Sequence, residues 1–289
     1  MKTLLIGKGH LGKLLNKELE IQPGYYWTDR MANLDEATLL RLAPDLIVNT
    51  AGKTDLTFCE NNKDECWQSN VIEPLYLYRR NLKTVKAHYL HISSGCIWDG
   101  PFNETGRAFE PLDPPTPACF YSWSKATFDS LLKEEAMAPV AILRPRQVYS
   151  ASFAGPGETT RNTLQKLMQY KTLIDTPNSM TSAYTIAKAI RNIRAIECWP
   201  LIRTYNVYDL GYTTPYEVGR MLAEAGLREM PGLTYKNELD KWHKPRRVDA
   251  VIHDAGFEEI VEPPKVEDEL RRVIALFKLS AGESKPAAE

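Results

Sequence analysis

The stretch that most constrains this chain is its beginning. A short apolar run over residues 2–6 stops at Gly7-Lys8-Gly9-His10-Leu11-Gly12, after which Leu14, Leu15, Glu18 and Leu19 recur at helical spacing. Strand, glycine turn and helix in that order form a cradle for a pyrophosphate. Gly7 allows the tight turn, Gly9 lets the backbone approach the phosphates, and Gly12 lets helix and strand pack closely, while the helix start at His10 and Leu11 faces the anion. The competing reading is an ordinary glycine turn. Residues 25–28 then read as a second strand ending in Asp29, 17 residues after Gly12, where a carboxylate accepts from ribose hydroxyls. The adjacent Arg30 suits an extra ribose phosphate instead, so NADH and NADPH both stay open.

The rest of the first half alternates in the same way. The pattern predicts a helix over 34–42 and a third strand over 45–49, whose end at Ala51 and Gly52 suits the floor of a cofactor site. A long helix over 63–82 is kinked or broken at Pro74. A fourth strand over 87–93 runs out through Ser94 and Cys96, which strand alternation would put on one side. Residues 100–119 form a proline-dense loop, 121–135 a helix and 140–143 a fifth strand, followed by Arg144-Pro145-Arg146. The expected fold class is α/β, a Rossmann-type doubly wound parallel sheet with a smaller C-terminal substrate-binding lobe, and ligands gather at the carboxyl ends of the strands.

Residues 1–150 are the expected NAD(P)-binding domain, and 151–289 mainly the substrate lobe with a return strand near 204–210. In that second part we expect helices over 160–170, 186–196, 215–225 and 267–279, a turn at 177–181, a Pro- and charge-rich connection before the last helix, and a frayed end over 280–289.

Bulk properties narrow the function. A net charge of −1 offers no field to nucleic acid or an anionic membrane, and 43% hydrophobic content supplies a core. The apolar run at the N-terminus is too short for a secretory signal, and no later segment is long enough to span a bilayer. Five cysteines, Cys59, Cys66, Cys96, Cys119 and Cys198, are odd in number and lack CxxC spacing. We therefore expect a reducing, cytoplasmic compartment and no metal, with Cys59 and Cys66 as packing residues.

Two YxxxK pairs occur, Tyr121/Lys125 and Tyr184/Lys188. Position favours the first, because it opens the helix after the strand that carries Ser94. There the ammonium of Lys125 would lower the phenol of Tyr121, which could exchange a proton with a carbonyl or alcohol oxygen held by Ser94. The second pair reads as the start of an amphipathic helix.

The set Gly7-x-Gly9-x-x-Gly12, Ser94 and Tyr121-x-x-x-Lys125 resembles the extended short-chain dehydrogenase/reductases that act on nucleotide sugars. Thr50-Ala51-Gly52, Gly95-Cys96-Ile97, Phe120-Tyr121-Ser122, Arg161-Asn162, Pro177-Asn178-Ser179-Met180-Thr181 and Pro245-Arg246 resemble the plant-type nucleotide-rhamnose synthases (4-keto-6-deoxyglucose 3,5-epimerase/4-reductases), the dTDP-4-dehydrorhamnose reductases and the GDP-fucose synthases. The resemblance implies a reductase triad of Ser94, Tyr121 and Lys125, an epimerising thiol at Cys96 with Lys166 as its partner, and nucleotide contacts from Asn178, Ser179 and Arg246. It also implies NADPH or NADH as cofactor, a nucleotide-sugar substrate and a homodimer. Two departures stand out: the first glycine turn is one residue shorter than in most of these relatives, and Trp98 replaces the usual Phe or Tyr, a change that could alter the sugar pocket. The expected function is reduction, with prior 3,5-epimerisation, of a nucleotide-linked 4-keto-6-deoxyhexose. A plain reductase, an NAD-dependent sugar epimerase and a non-catalytic dinucleotide sensor are the alternatives.

Overall fold

The computed structural model describes residues 1–19, 26–28, 31, 34–154, 162–242 and 245–283. The chain opens with β1 (Thr3–Ile6), α1 (His10–Glu18), β2 (Tyr26–Thr28), α2 (Glu36–Leu42) and β3 (Leu46–Asn49), and β1 pairs in parallel with both β2 and β3. All four residues of β1 and of β3 are buried, as strands covered on both faces require. The side chain of Asp35 caps α2 by accepting from the Thr38 amide.

α3 (Leu56–Asn61), which the sequence reading did not anticipate, precedes α4 (Lys63–Trp67), a π-helical turn at Gln68–Ile72 and α5 (Glu73–Lys83). Pro74 has no amide to donate, and the ladder widens into the π turn just before it. This is the break expected within 63–82.

β4 (His88–Ile92) leads into a 3-10 turn at Gly95–Ile97, and the proline-dense loop follows before α6 (Phe120–Glu134) and β5 (Val140–Pro145). The strand therefore ends before Ser94, whose Oγ accepts from the Cys96 amide at 3.1 Å and caps the turn. Strand alternation does not extend to Cys96; the capped turn places it instead. The loop over 100–119 is pinned by Trp98, which is fully buried and stacked on Phe109 beneath the Arg144 guanidinium. Trp98 thus packs the loop and does not shape a pocket wall.

Beyond residue 147 come β6 (Val148–Tyr149), α7 (Thr163–Leu167), β7 (Thr172–Ile174), β8 (Thr181–Ser182), α8 (Ala183–Ala195) and β9 (Ile202–Val207). The chain continues through α9 (Pro215–Glu224), β10 (Gly232–Thr234), α10 (Lys236–Trp242), α11 (Ala255–Val261) and α12 (Val266–Glu283). Several boundaries differ from the sequence reading. The helix expected over 160–170 is the shorter α7, and residues 177–181 are not a turn, because Asn178 bridges Thr213 and the segment runs into β8. The connection before α12 holds β10, α10 and α11, too short to show a period. Residues 280–283 continue α12, whereas 284–289 lie outside the described residues.

Among the described residues, six strands form one parallel sheet in the order β2-β1-β3-β4-β5-β9. This is the expected α/β architecture. Successive residues feed opposite faces: Leu5 and Val48 join a core with α1, α8 and α11, whereas Leu4, Ile6 and Ile47 join another with α2, α5 and α6. A third core gathers Leu164, Val218, Leu222, Leu270 and Phe277 from α7, α9 and α12. The two-stranded pairs β6–β8 and β7–β10 lie outside the main sheet, and Tyr149 of β6 and Leu173 of β7 join this third core.

Candidate active site

The three glycines of the first turn differ in what surrounds them. Gly7 has φ +106°, and a Cβ there would stand 2.5 Å from Thr50 Oγ1, so both conformation and space require glycine. A Cβ on Gly12 would stand 2.0 Å from the carbonyl oxygen of Gly7, whereas one on Gly9 would meet nothing within 4 Å. The first and third glycines thus build the turn, and the second leaves open space. Gly9 precedes α1 with no side chain to cap it, so the first amides of the helix face the cavity that begins there.

That cavity measures about 1330 Å³, and His10, Leu11, Ala51, Gly52, Tyr121 and Lys125 line it together with Gly9 and Gly12 of the glycine turn. Single small-ligand pockets usually span roughly 300–1,000 Å³. The space suits a dinucleotide and a second ligand together. An uncapped helix N-terminus behind an open glycine is the donor set that a pyrophosphate needs, so the residues fit the cofactor. His10 is half-buried and meets Ser150 Oγ at 3.1 Å; burial, then the charges of Lys166 and Lys13, hold its pKa below the usual value. Asp29 and Arg30 lie outside the described residues.

At the carboxyl end of β4 the triad assembles. Tyr121, in the first turn of α6, is buried and lines the cavity together with Ser94. Burial pushes the phenol well up, the charge at Cys96 adds to this, and the neighbouring Ser94 hydroxyl offsets part of it. This corrects the expected lowering by Lys125: burial dominates, and Tyr121 is a protonated donor at neutral pH. One turn along, Lys125 Nζ donates to the Ile92 carbonyl at 3.3 Å, and burial holds its pKa down at about 8. Gly52, at φ +149°, leaves the space: a Cβ there would stand 2.8 Å from Asn70 Oδ1 and 3.5 Å from Lys125 Nζ. Asn70 belongs to the π turn and ties the Gly52 loop to α6, bonding Lys53 N, Lys53 O and Ser124 Oγ. The second pair stays apart from the cavity: Lys188 donates to the Glu262 carbonyl, and Tyr184 lies under Arg272.

Cys96 and Lys166 both line the cavity, but the cation touching Cys96 is Arg146, which donates from Nη1 to Sγ at 2.6 Å. The sequence reading gives Arg146 no role. Its place at the carboxyl end of β5, where ligands gather, was the available signal. Asn178 and Ser179 are fully buried and do not line the cavity, contrary to the expectation of direct nucleotide contact. Asn178 Oδ1 accepts from Arg146 while its Nδ2 donates to Asp249, and Ser179 Oγ accepts from Ile252 N, so both fasten the strap over residues 248–252. The bridge to Thr213 turns them inward. Arg246 likewise turns outward to Asp99 and Asp240, whereas its neighbour Arg247 lines the cavity.

Cys59 and Cys66 pack with Cys119, Tyr121 and Val248 beneath the site. Among the described residues no group of three or more His, Cys, Asp or Glu side chains could hold a metal ion.

Comparison with known proteins agrees with this geometry. Residues 1–277 match the family described as RmlD substrate binding domain. The chain is 27% identical over 267 residues to the spore coat polysaccharide biosynthesis protein SpsK of Bacillus subtilis, covering 89% of this chain and 91% of that one. It is 30% identical over 254 residues to an Arabidopsis thaliana bifunctional dTDP-4-dehydrorhamnose 3,5-epimerase/dTDP-4-dehydrorhamnose reductase, covering 81% of this chain and 77% of that one. To a trifunctional UDP-glucose 4,6-dehydratase/UDP-4-keto-6-deoxy-D-glucose 3,5-epimerase/UDP-4-keto-L-rhamnose-reductase of the same plant it is 33% identical over 218 residues, 68% of this chain, and it spans 31% of that longer protein. Among solved structures, the UDP-rhamnose synthase of Acanthamoeba polyphaga mimivirus superposes with a TM-score of 0.80 at 20% identity, over 95% of this chain and 99% of that one. The dTDP-4-dehydrorhamnose reductase of Bacillus anthracis in complex with NADP superposes at 0.78 and 18% identity, over 95% and 98%.

Proposed function

The chain belongs to the RmlD substrate-binding-domain family, and from that premise we propose that it reduces the keto group of a nucleotide-linked 4-keto-6-deoxyhexose with NADPH or NADH, after epimerising the sugar at carbons 3 and 5. One observation carries the reading: Ser94, Tyr121 and Lys125 all line the cavity into which the uncapped start of α1 opens. The relatives named for dehydrorhamnose reduction support the substrate class.

The six-stranded half holds the dinucleotide, with Gly7, Gly9 and Gly12 shaping the turn and the amides of His10 and Leu11 receiving the phosphates. A reduced nicotinamide bound there supplies the hydride for carbon 4. Ser94 hydrogen-bonds the keto oxygen, and Tyr121, kept protonated by burial, gives its proton to that oxygen as charge develops on it. Lys125, one helical turn along, supplies a cation to stabilise the phenolate that Tyr121 becomes when it gives up its proton. The layer formed by α7, α9, α12 and the β7–β10 pair binds the sugar nucleotide, and Lys166 of α7 and Arg247 both line the cavity. For epimerisation, the keto group acidifies the hydrogens at carbons 3 and 5, which Cys96 and Lys166 exchange. The five free cysteines favour a reducing, cytoplasmic compartment. A homodimer is the proposed assembly, which light scattering on the purified protein tests.

The test of function is oxidation of NADPH and of NADH in the presence of UDP- and dTDP-4-keto-6-deoxyglucose, with the product sugar identified by NMR. An L-rhamno product supports both halves. A product of retained D configuration limits the enzyme to reduction, and no oxidation with either sugar overturns the reading.

A further inference from the structure

We propose that Arg146 is the positioning residue that holds negative charge on the sulfur of Cys96. Arg146 and Arg144 flank Pro145 at the end of β5, and both are buried, but only one has a carboxylate. Arg144 pairs with Asp129 at 2.8 Å, whereas Arg146 spends its donors on Asn178 Oδ1, the Val248 carbonyl and Cys96 Sγ. A buried cation is costly unless an anion accompanies it. Among the described residues in contact with Arg146, the sulfur is the group able to become that anion.

The surroundings hold the guanidinium in place. Asn178 accepts from both Nε and Nη2, at 3.1 and 2.6 Å, and is itself tied to Asp249 at 2.6 Å. The Arg146 amide donates to Thr181 Oγ1 at 2.8 Å. On the other side, the arginine stem lies against Gly95, where a Cβ would meet its Cβ and Cδ at an ordinary contact distance of 3.5 Å. Three separated segments thus fix Nη1 against a thiol that itself lines the cavity.

The catalytic half of this inference rests on the proposed sugar chemistry. When the Cys96 thiol protonates the enolate carbon, its S–H bond breaks, the enolate pair forms the new C–H bond, and the S–H pair stays on sulfur beside Nη1. In the reverse step the sulfur takes the proton and the C–H pair returns to the enolate. Arg146 touches neither carbon; it acts through the sulfur.

Alkylation tests the sulfur without any sugar. The protein is treated with iodoacetamide at pH 7 and the cysteines are followed by peptide mass spectrometry, with exposed Cys198 as internal reference. In the wild type Cys96 is expected to react faster than Cys198 despite its lower exposure; a slower reaction overturns the proposal, and this measurement needs no variant. Arg146→Gln is expected to slow Cys96 about tenfold, the scale of one hydrogen bond to a charged group, with Cys198 unchanged and Arg146→Lys intermediate. Wild-type Cys96 rates in both variants overturn it. With the sugar present, deuterium wash-in from D2O without NADPH is expected to fall about tenfold further in Arg146→Gln than oxidation of NADPH by the already epimerised 4-keto sugar, which needs no proton exchange at carbon 3 or 5, again the scale of that bond. An equal fall in both marks a merely structural role and overturns the proposal. Absence of wash-in in the wild type overturns the epimerisation reading instead, and alkylation then decides the role of Arg146 by itself.

Discussion

Lys125 donates from Nζ to the main-chain carbonyl of Ile92 at 3.3 Å, joining the helix that carries Tyr121 to the end of the central strand β4. The ammonium is held there at a cost, because burial lowers its pKa from 10.5 to about 8. For a lysine whose folded pKa is depressed, the contribution to stability is fully present above the unfolded pKa and is lost as pH falls through the folded one. Lys125→Met is therefore expected to unfold at a higher temperature than the wild type at pH 7, by the equivalent of about 1–3 kcal/mol. The difference should shrink as pH is raised from 8 towards 10.5. Reductase activity should be lost in the same variant, and thermal unfolding at two pH values beside an NADPH oxidation assay checks both.

Tyr121→Phe removes the proton donor and leaves the ring that packs against Cys59, Cys66 and Val248. Loss of a general acid typically costs about 10²–10⁴ in rate. We expect a fall of that size in the rate of NADPH oxidation, with little change in NADPH affinity measured by fluorescence titration.

The glycine turn separates folding from binding. Gly12→Ala would force a methyl against the Gly7 carbonyl, 2.0 Å away, and is expected to lower the melting temperature. Gly9→Ala meets nothing within 4 Å in the protein, so the melting temperature should hold while NADPH affinity falls. Differential scanning fluorimetry with and without NADPH distinguishes the two.

Asp129→Ala should be strongly destabilising. Its carboxylate and the Arg144 guanidinium are both 2% exposed, and removing one partner of such a pair typically costs about 3–5 kcal/mol. Arg144 also holds the proline-dense loop through the Pro111 carbonyl and stacks over Trp98. Urea unfolding, with limited proteolysis of residues 100–119, measures the loss.

Much of this molecule was legible in the chain itself. The GxGxxG turn at residues 7–12, the alternation of apolar runs with helical spacing up to Pro145, and the helical Tyr121/Lys125 spacing each follow from steric and periodic rules acting within one turn or one strand. Pro74 announced a break by its missing amide, and the π turn answered it. Where the elements were two to seven residues long, as in β6, β8, β10 and α10, no period could develop. Ser94 and Cys96 illustrate a different failure: alternation was applied beyond the end of the strand, and a side-chain cap had replaced it.

The sequence by itself determined which groups are present and which local elements carry them, because torsional preference, glycine freedom and hydrophobic period are properties of neighbouring residues. Only the tertiary structure decided which groups meet. Arg146 reaches Cys96 across 50 residues because β4 and β5 are adjacent in the sheet, and the register of those strands sets both ends. Arg247 faces the cavity while Arg246 is drawn to Asp99 and Asp240, a choice made by ion pairs distant in the chain. Burial, which raises Tyr121 and lowers Lys125, is likewise a property of the packed whole, since desolvation depends on what the rest of the chain removes from water.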